Sequence, residues 1–405
     1  MKYVVVLGDG MSDRPLKELG DKTPLEAAST RYMDYIAGKG RCGLLKTLRE
    51  GLPLGSDVAN LIVLGYDPVR YHLGGRAPLE AASIGIKLSG DDTAFRCNLI
   101  TAEDGRITDH SAGHISGREG SELIKAVGER FGGEGIKFYP GVSYRNILVL
   151  GGRYSGDVKC TPPHDIIGRR LSENLVKPSG EGGQETAKFL NDMMKDSISL
   201  LEEHPVNLER EKRGQPKANC IWFWGQGKRL VMPSFKEKYN LGGALISAVD
   251  LLKGIGHYLG MQVINVPGAT GYLDTNYEGK ADYALNALQN NDFVYVHVES
   301  TDEASHEGSI EKKIKAIEDL DKRLVGRIIE GLDEIDDDVS IAILPDHSTP
   351  IKKRTHTIDP IPFAIYNPLS GGDEVSGYSE KEAVNGFFGV RDGLDFIKLL
   401  LSDND

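Results

Sequence analysis

Five short runs along the chain combine β-branched residues with an abrupt polar end. They are KYVVVLGDG (2–10), ANCIWFWG (218–225), MQVINVPG (261–268), DFVYVHVES (292–300) and VSIAILPDHS (339–348). Runs of this length and composition predict buried strands. Between them, GGALISAVDLLKGIGHYLG (242–260) and IEKKIKAIEDLDKRLVGRIIEGL (310–332) carry apolar residues at helical spacing. Alternation of the two patterns predicts an α/β fold whose mostly parallel sheet is flanked by helices. In such sheets ligands bind beyond the carboxyl ends of the strands. PLEAAS occurs at 24–29 and again at 78–83; each copy reads as a helix start, because proline suits the first helical position.

The pattern changes between 88 and 217. Glycine-rich breaks such as KPSGEGGQE and the charged stretch LEEHPVNLEREKRGQPK interrupt it, which predicts a separate domain inserted into the α/β core. The expected division is a discontinuous core of 1–87 and 218–405 and a smaller inserted α/β domain of 88–217. A chain of 405 residues has room for both.

Charge narrows the partners. The net charge of −12 argues against nucleic acid and anionic membranes, which reward a basic surface. A small anionic substrate would have to meet local positive charge, from Arg and Lys or from bound metal. Apolar runs stay well short of the roughly 20 residues that span a bilayer. The apolar part of the N-terminus is too short for a secretory signal, so a cytoplasmic location is expected. Cys42, Cys97, Cys160 and Cys220 show no C-x-x-C spacing and read as reduced thiols.

Candidate chemistry gathers where the predicted strands end. In ESTDEASHEG, Asp302 and His306 stand four apart, so a helix would put both on one face. A carboxylate and an imidazole converging there suit Mn²⁺ or Zn²⁺; the same residues also suit an acidic helix start favoured by the helix dipole. AILPDHSTP places Asp346 and His347 after another strand, as ligands or as an ordinary Asp turn. His356 follows on a loop, and Asp9 follows the first strand in a sequence that also fits a tight turn. Ser56, in GLPLGSDVANLIVLG, precedes an apolar helical run. It serves as a helix cap or as a hydroxyl held at a helix N-terminus for attack on phosphate. Taken together, three carboxylates, three imidazoles and one hydroxyl suffice for two metal ions about 4 Å apart, a phosphoryl-transfer arrangement.

The order Asp, Ser after Gly, D-x-x-x-H, D-H and a late His resembles the alkaline phosphatase superfamily. The fuller phrases DGMSDRP, DKTPLEAAS, PLGSDVANLIVLGYDP, ITDHSAGHIS, WFWGQGK, PGATGYLDTNYEGKADYAL and THTIDPIPFAIY resemble the archaeal-type cofactor-independent phosphoglycerate mutases over essentially the whole chain. TRYMDYIAGKG departs from the superfamily in lacking a Pro-Asn after the threonine. The resemblance implies an alkaline-phosphatase-like core and an isomerase of glycolysis and gluconeogenesis. This enzyme would interconvert 3-phosphoglycerate and 2-phosphoglycerate with no 2,3-bisphosphoglycerate requirement. It implies that Ser56 becomes phosphoserine and that Asp9, Ser56, Asp346 and His347 hold one divalent ion. Asp302, His306 and His356 would hold the other, with Mn²⁺ expected first and Zn²⁺, Co²⁺ or Mg²⁺ as alternatives. It implies that His110 and Arg145 grip the substrate and that Lys228 stabilises the transferred phosphoryl group; Arg210 is a further substrate-binding candidate, and a solvated surface charge is the competing reading for each. A homo-oligomer is compatible with it. Two other readings compete: a metal-dependent phosphatase or mutase acting on another phosphorylated metabolite, and a non-catalytic metal- or metabolite-binding protein.

Overall fold

The computed structural model describes residues 1–71, 74–373 and 375–402. Its strands, in chain order, begin with β1 (Lys2–Gly8) and β2 (Arg41–Lys46). Then come β3 (Thr93–Glu103), β4 (Arg106–Asp109), β5 (Ile136–Tyr139), β6 (Arg145–Leu150), β7 (Val158–Lys159), β8 (Lys177–Pro178) and β9 (Cys220–Lys228). The last six are β10 (Gly243–Ile246), β11 (Gln262–Ile264), β12 (Phe293–Val298), β13 (Val339–Leu344), β14 (Ile361–Tyr366) and β15 (Gly389–Asp392). The chain divides into two units, Met1–Leu73 with Met232–Asp405, and Gly74–Val231.

The larger unit is built on an eight-stranded sheet in the order β11-β10-β12-β1-β13-β14-β2-β15. Every pairing is parallel except the two that β14 makes, so β14 alone runs against the rest. The central strand β1 pairs in register with β12 (Val4 with Val294) and with β13 (Val4 with Ile341). All three are buried along almost their whole length, as expected for parallel strands covered on both faces. On one face Val4, Val6, Val294, Val296, Ile341 and Ile343 form a core with Ala281, Leu288, Leu320 and Leu324 from neighbouring helices. On the other, Tyr295 reaches the helix Ser56–Val63 by donating to Asn60 Oδ1 at 2.6 Å.

The smaller unit has a five-stranded antiparallel sheet, β4-β3-β6-β5 with β9 on the free side of β3, and a short β7–β8 pair. The helices Gly117–Phe131 and Gly183–Glu202 cover one face through Leu123, Ile124, Leu190 and Met194. The helix Ala77–Ser83 packs on Ala94, Ile147 and Val149 on the other.

Two sequence expectations are corrected. The run 218–225 was assigned to the large sheet; it forms β9, which pairs with β3. The unit that includes β3 and β9 therefore extends to Gly74 and Val231, beyond the expected 88–217. A run buried on both faces looks alike in either sheet, and pairing partners settle the matter. The run 242–260 was read as one helix; Gly243–Ile246 is strand β10 and only Asp250–Tyr258 is helical. Alternation is the reason: Ala244 and Ile246 enter the core with Val294 and Val296, while Leu245 turns to the opposite face. Both PLEAAS copies do start helices, Pro24–Ala27 and Ala77–Ser83. All four cysteines are free thiols. Among the described residues no helix is long and apolar enough to cross a membrane.

Candidate metal centre and active site

Three adjacent strands, β12, β1 and β13, deliver the carboxylates to one edge of the large sheet. Asp9 follows β1 directly, Asp302 lies on the helix Ser300–Glu307 that follows β12, and Asp346 follows β13. All three are buried. The turn after β1 depends on Gly10, which has φ +59° and leaves no room for a side chain. A Cβ there would lie 2.2 Å from Asp302 Oδ1.

Asp9, Asp346 and His347 present ligand atoms within 4.8 Å of one another. Asp346 is held by Gly10 N–H at 3.1 Å, His347 N–H at 2.9 Å and Asn60 Nδ2 at 2.8 Å. Ser56 is the first residue of its helix, and its Oγ lies 3.2 Å from His347 Nε2. Beside them Asp302, His306 and His356 converge: His306 Nε2 is 2.9 Å from Asp302 Oδ2, and His356 Nε2 is 3.6 Å from it. The two groups adjoin, because the rings of His347 and His356 stack with centroids 3.9 Å apart. All seven residues proposed as ligands from the sequence are thus neighbours.

The hydrogen bonds behind the imidazoles determine which nitrogen faces inward. His306 Nδ1 meets the Arg354 carbonyl at 2.9 Å and His356 Nδ1 meets the Leu54 carbonyl at 2.9 Å. A carbonyl only accepts, so both Nδ1 atoms carry hydrogen; each ring leaves Nε2 bare when neutral and donates it to Asp302 when charged. Thr349 gives its hydroxyl hydrogen to Asp302 Oδ1 at 2.6 Å and so accepts from His347 Nδ1 at 3.1 Å. His347 Nε2 is therefore bare as well, 3.2 Å from Asp9 Oδ1. Asp9 Oδ1 is buried and, among the described residues, receives no hydrogen bond. An ionised Asp9 Oδ1 facing a bare Nε2 makes a pair of acceptors that a cation would satisfy.

In the smaller unit, His110 lies within 6.0 Å of the His164 ring and 5.7 Å of Tyr144, centroid to centroid. Arg145 is exposed, with its guanidinium 5.4 Å from the Tyr144 ring. The sequence reading missed Arg96, which is buried over the Trp224 ring at 4.0 Å and paired with Glu80 at 3.0 Å. It also missed His164, 5.2 Å from Trp224; only a fold that sets β3 beside β9 brings these together. Lys228 is exposed at the end of β9, opposite Thr93, whereas Arg145 sits opposite Asn98. The strand β3 thus holds the two apart. Arg210 does not fit its expected role. It is 2% exposed and bonds to Pro216 O, Glu119 Oε2 and Ala112 O, so it ties the small unit together internally.

A family model described as 2,3-bisphosphoglycerate-independent phosphoglycerate mutase matches residues 37–207. The chain is 52% identical over 402 residues to the 2,3-bisphosphoglycerate-independent phosphoglycerate mutase of Methanosarcina barkeri, covering 99% of both chains. The chain belongs to the 2,3-bisphosphoglycerate-independent phosphoglycerate mutases. Phosphoglycerate mutase 2 of this type from Methanothermobacter thermautotrophicus is 49% identical, covering 99% of this chain and 97% of that one. Among solved structures, the PH0037 protein from Pyrococcus horikoshii superposes with a TM-score of 0.83 at 30% identity, covering 100% of this chain and 98% of that one. The cofactor-independent phosphoglycerate mutase of Thermoplasma acidophilum gives a TM-score of 0.70 at 29% identity, covering 99% of each chain.

Electrostatics in this mutase family member match a site suited to positive charge. Burial, then Asp346, Asp302 and Glu299, push Asp9 well above the usual carboxylate range. Glu299 is pushed up to about 8 by burial and by Asp302. Burial works to raise Asp302 too, but hydrogen bonds from His306 and His356 outweigh it and hold Asp302 well below the usual range. His306 is raised to about 9, chiefly by Asp302. Divalent cations would relieve the crowding of carboxylates that protons otherwise relieve.

Proposed function

We propose that this chain interconverts 3-phosphoglycerate and 2-phosphoglycerate through a phosphoserine on Ser56, without 2,3-bisphosphoglycerate. Two divalent cations, Mn²⁺ first among them, would be held by Asp9, Ser56, Asp346 and His347 and by Asp302, His306 and His356. When bound, they supply charge that acidifies the Ser56 hydroxyl and offsets the negative charge of the phosphoryl group. The observation that carries the reading is the Ser56 hydroxyl, at a helix N-terminus and 3.2 Å from His347 Nε2 beside the unpartnered oxygen of Asp9.

Ser56 Oγ attacks phosphorus, the bond to one glycerate oxygen breaks, and the hydroxyl hydrogen ends on the departing glycerate. The amide groups of the helix Ser56–Val63 point toward the incoming phosphate. Glycerate then turns, and its other hydroxyl takes the phosphoryl group back, which restores Ser56. His110 and Arg145 are assigned to the substrate carboxylate or phosphate and Lys228 to the transferred phosphoryl group. A cytoplasmic location and a place in glycolysis and gluconeogenesis belong to the same proposal.

A coupled assay of 3-phosphoglycerate without bisphosphoglycerate tests the whole reading. Wild type treated with chelator and resupplied with Mn²⁺ should form 2-phosphoglycerate. Ser56→Ala should lose on the order of 10³-fold or more of that rate, as expected when a nucleophile is removed. Release of free phosphate with no 2-phosphoglycerate would make the chain a phosphatase, and full activity after chelation would remove the cations from the reaction.

A further inference from the structure

One buried imidazole beside the site does the opposite of the other three. His297, on β12, is fully buried and turns Nε2 toward Asp9 Oδ2 at 3.1 Å. Its Nδ1 lies 3.3 Å from the hydroxyl of Ser247, which is also buried. Ser247 Oγ already accepts from Val249 N–H at 3.0 Å. Among the described residues its single hydrogen has His297 Nδ1 as its acceptor, and leaving a buried hydroxyl without one is costly. Nδ1 is therefore the accepting nitrogen, and the ring hydrogen sits on Nε2. Lys280 pins the same residue from behind by donating to the His297 carbonyl at 2.9 Å.

We infer that His297 is a positioning residue for the cation centre: Ser247 fixes its tautomer and its Nε2–H holds Asp9 Oδ2, which leaves Oδ1 as the atom that would hold a cation. The inference rests on the two-cation reading above. Asp9 Oδ2 is thereby occupied, and Oδ1 is the atom left without a hydrogen bond, 3.2 Å from His347 Nε2. When neutral, three rings thus point a bare nitrogen inward, and one points a hydrogen at a ligand carboxylate from outside. Asp9, His297 and Glu299 also bring ligand atoms within 4.8 Å of one another. A third cation there would need His297 Nε2 bare, so the tautomer separates the two arrangements.

Long-range ¹H–¹⁵N NMR on metal-free protein labelled at histidine reads the tautomers directly, with His297→Gln assigning the resonance. The expected result is an Nε2–H ring for His297 and an Nδ1–H ring for it in Ser247→Ala. Calorimetry with Mn²⁺ is the second arm. Wild type should bind two ions. His297→Leu should weaken one of them by about 10- to 100-fold and leave the other within about threefold. His297→Gln, which restores an N–H near the position of Nε2, should recover most of the loss. Should His297→Leu fail to fold, the spectrum of wild type and Ser247→Ala still decides. A bare Nε2 in wild type overturns the inference. So does a third Mn²⁺ lost in Glu299→Gln, or unchanged Mn²⁺ affinity in folded His297→Leu. Wild type that binds no Mn²⁺ would defeat the functional reading while leaving the tautomer assignment standing.

Discussion

At the scale of single residues, what could be read in advance depended on whether a side chain's partners were near in sequence. Asp302 and His306 share a helix face by spacing alone, and they are 2.9 Å apart. Arg210 looked like any surface arginine, because Glu119, the acid that accounts for its burial, is 91 positions away. His297 was hidden in the alternation of VYVHV, with Ser247 fifty positions upstream. Asp321 is a residue of the same kind. It is 2% exposed and accepts from the amides of Tyr32 at 3.0 Å and Met33 at 2.7 Å. Burial raises it to about 6 despite those amides, against about 3.9 in an unfolded chain. The native state therefore takes up a proton before the unfolded state does, and stability from this group grows as pH falls through 6. Between pH 7 and pH 5 wild type should gain about 1 kcal/mol relative to Asp321→Asn. Urea midpoints of both proteins at the two pH values measure this, and equal shifts would disprove it.

At the scale of elements, the parallel strands of the large sheet were legible because β-branched runs ending in polar residues leave few alternatives. The division of 242–260 into strand and helix was not, since three alternating positions are too few to overrule a longer helical pattern. The turn after β1 is the element on which the site most depends. Alanine at Gly10 would be held at φ +59° and would drive its Cβ against Asp302 Oδ1 and Thr349 Oγ1. Gly10→Ala should cost about 1–3 kcal/mol of stability for the backbone strain and also weaken Mn²⁺ binding. Gly20 supplies the comparison, with φ +69° and open space where a Cβ would go. Gly20→Ala should pay for strain alone and keep wild-type Mn²⁺ affinity by calorimetry. Equal affinity in the two variants would refute the steric argument.

At the scale of the whole molecule, the insertion was visible as a change of texture, whereas its limits were not. They are set by the pairing of β3 with β9 and by a hydrogen bond from Gly75 N to Gln226 O at 2.9 Å. That bond brings the two ends of the smaller unit side by side. With Phe95, Leu99, Ile221, Trp222 and Phe223 buried in a core of its own, the segment 74–231 should fold when expressed alone. A single cooperative thermal transition and dispersed amide resonances would show it; a spectrum of an unfolded chain would not. The register of β1 has a further consequence, on the ribosome. This strand is made before the other strands of its sheet, yet Val4 pairs with Val294 and Ile341, about 290 residues or more later. At roughly 5–20 residues per second, an apolar strand with both edges open waits on the order of 15–60 s for a neighbour. During synthesis the segment that ends at Asp9 thus stays open to a chaperone.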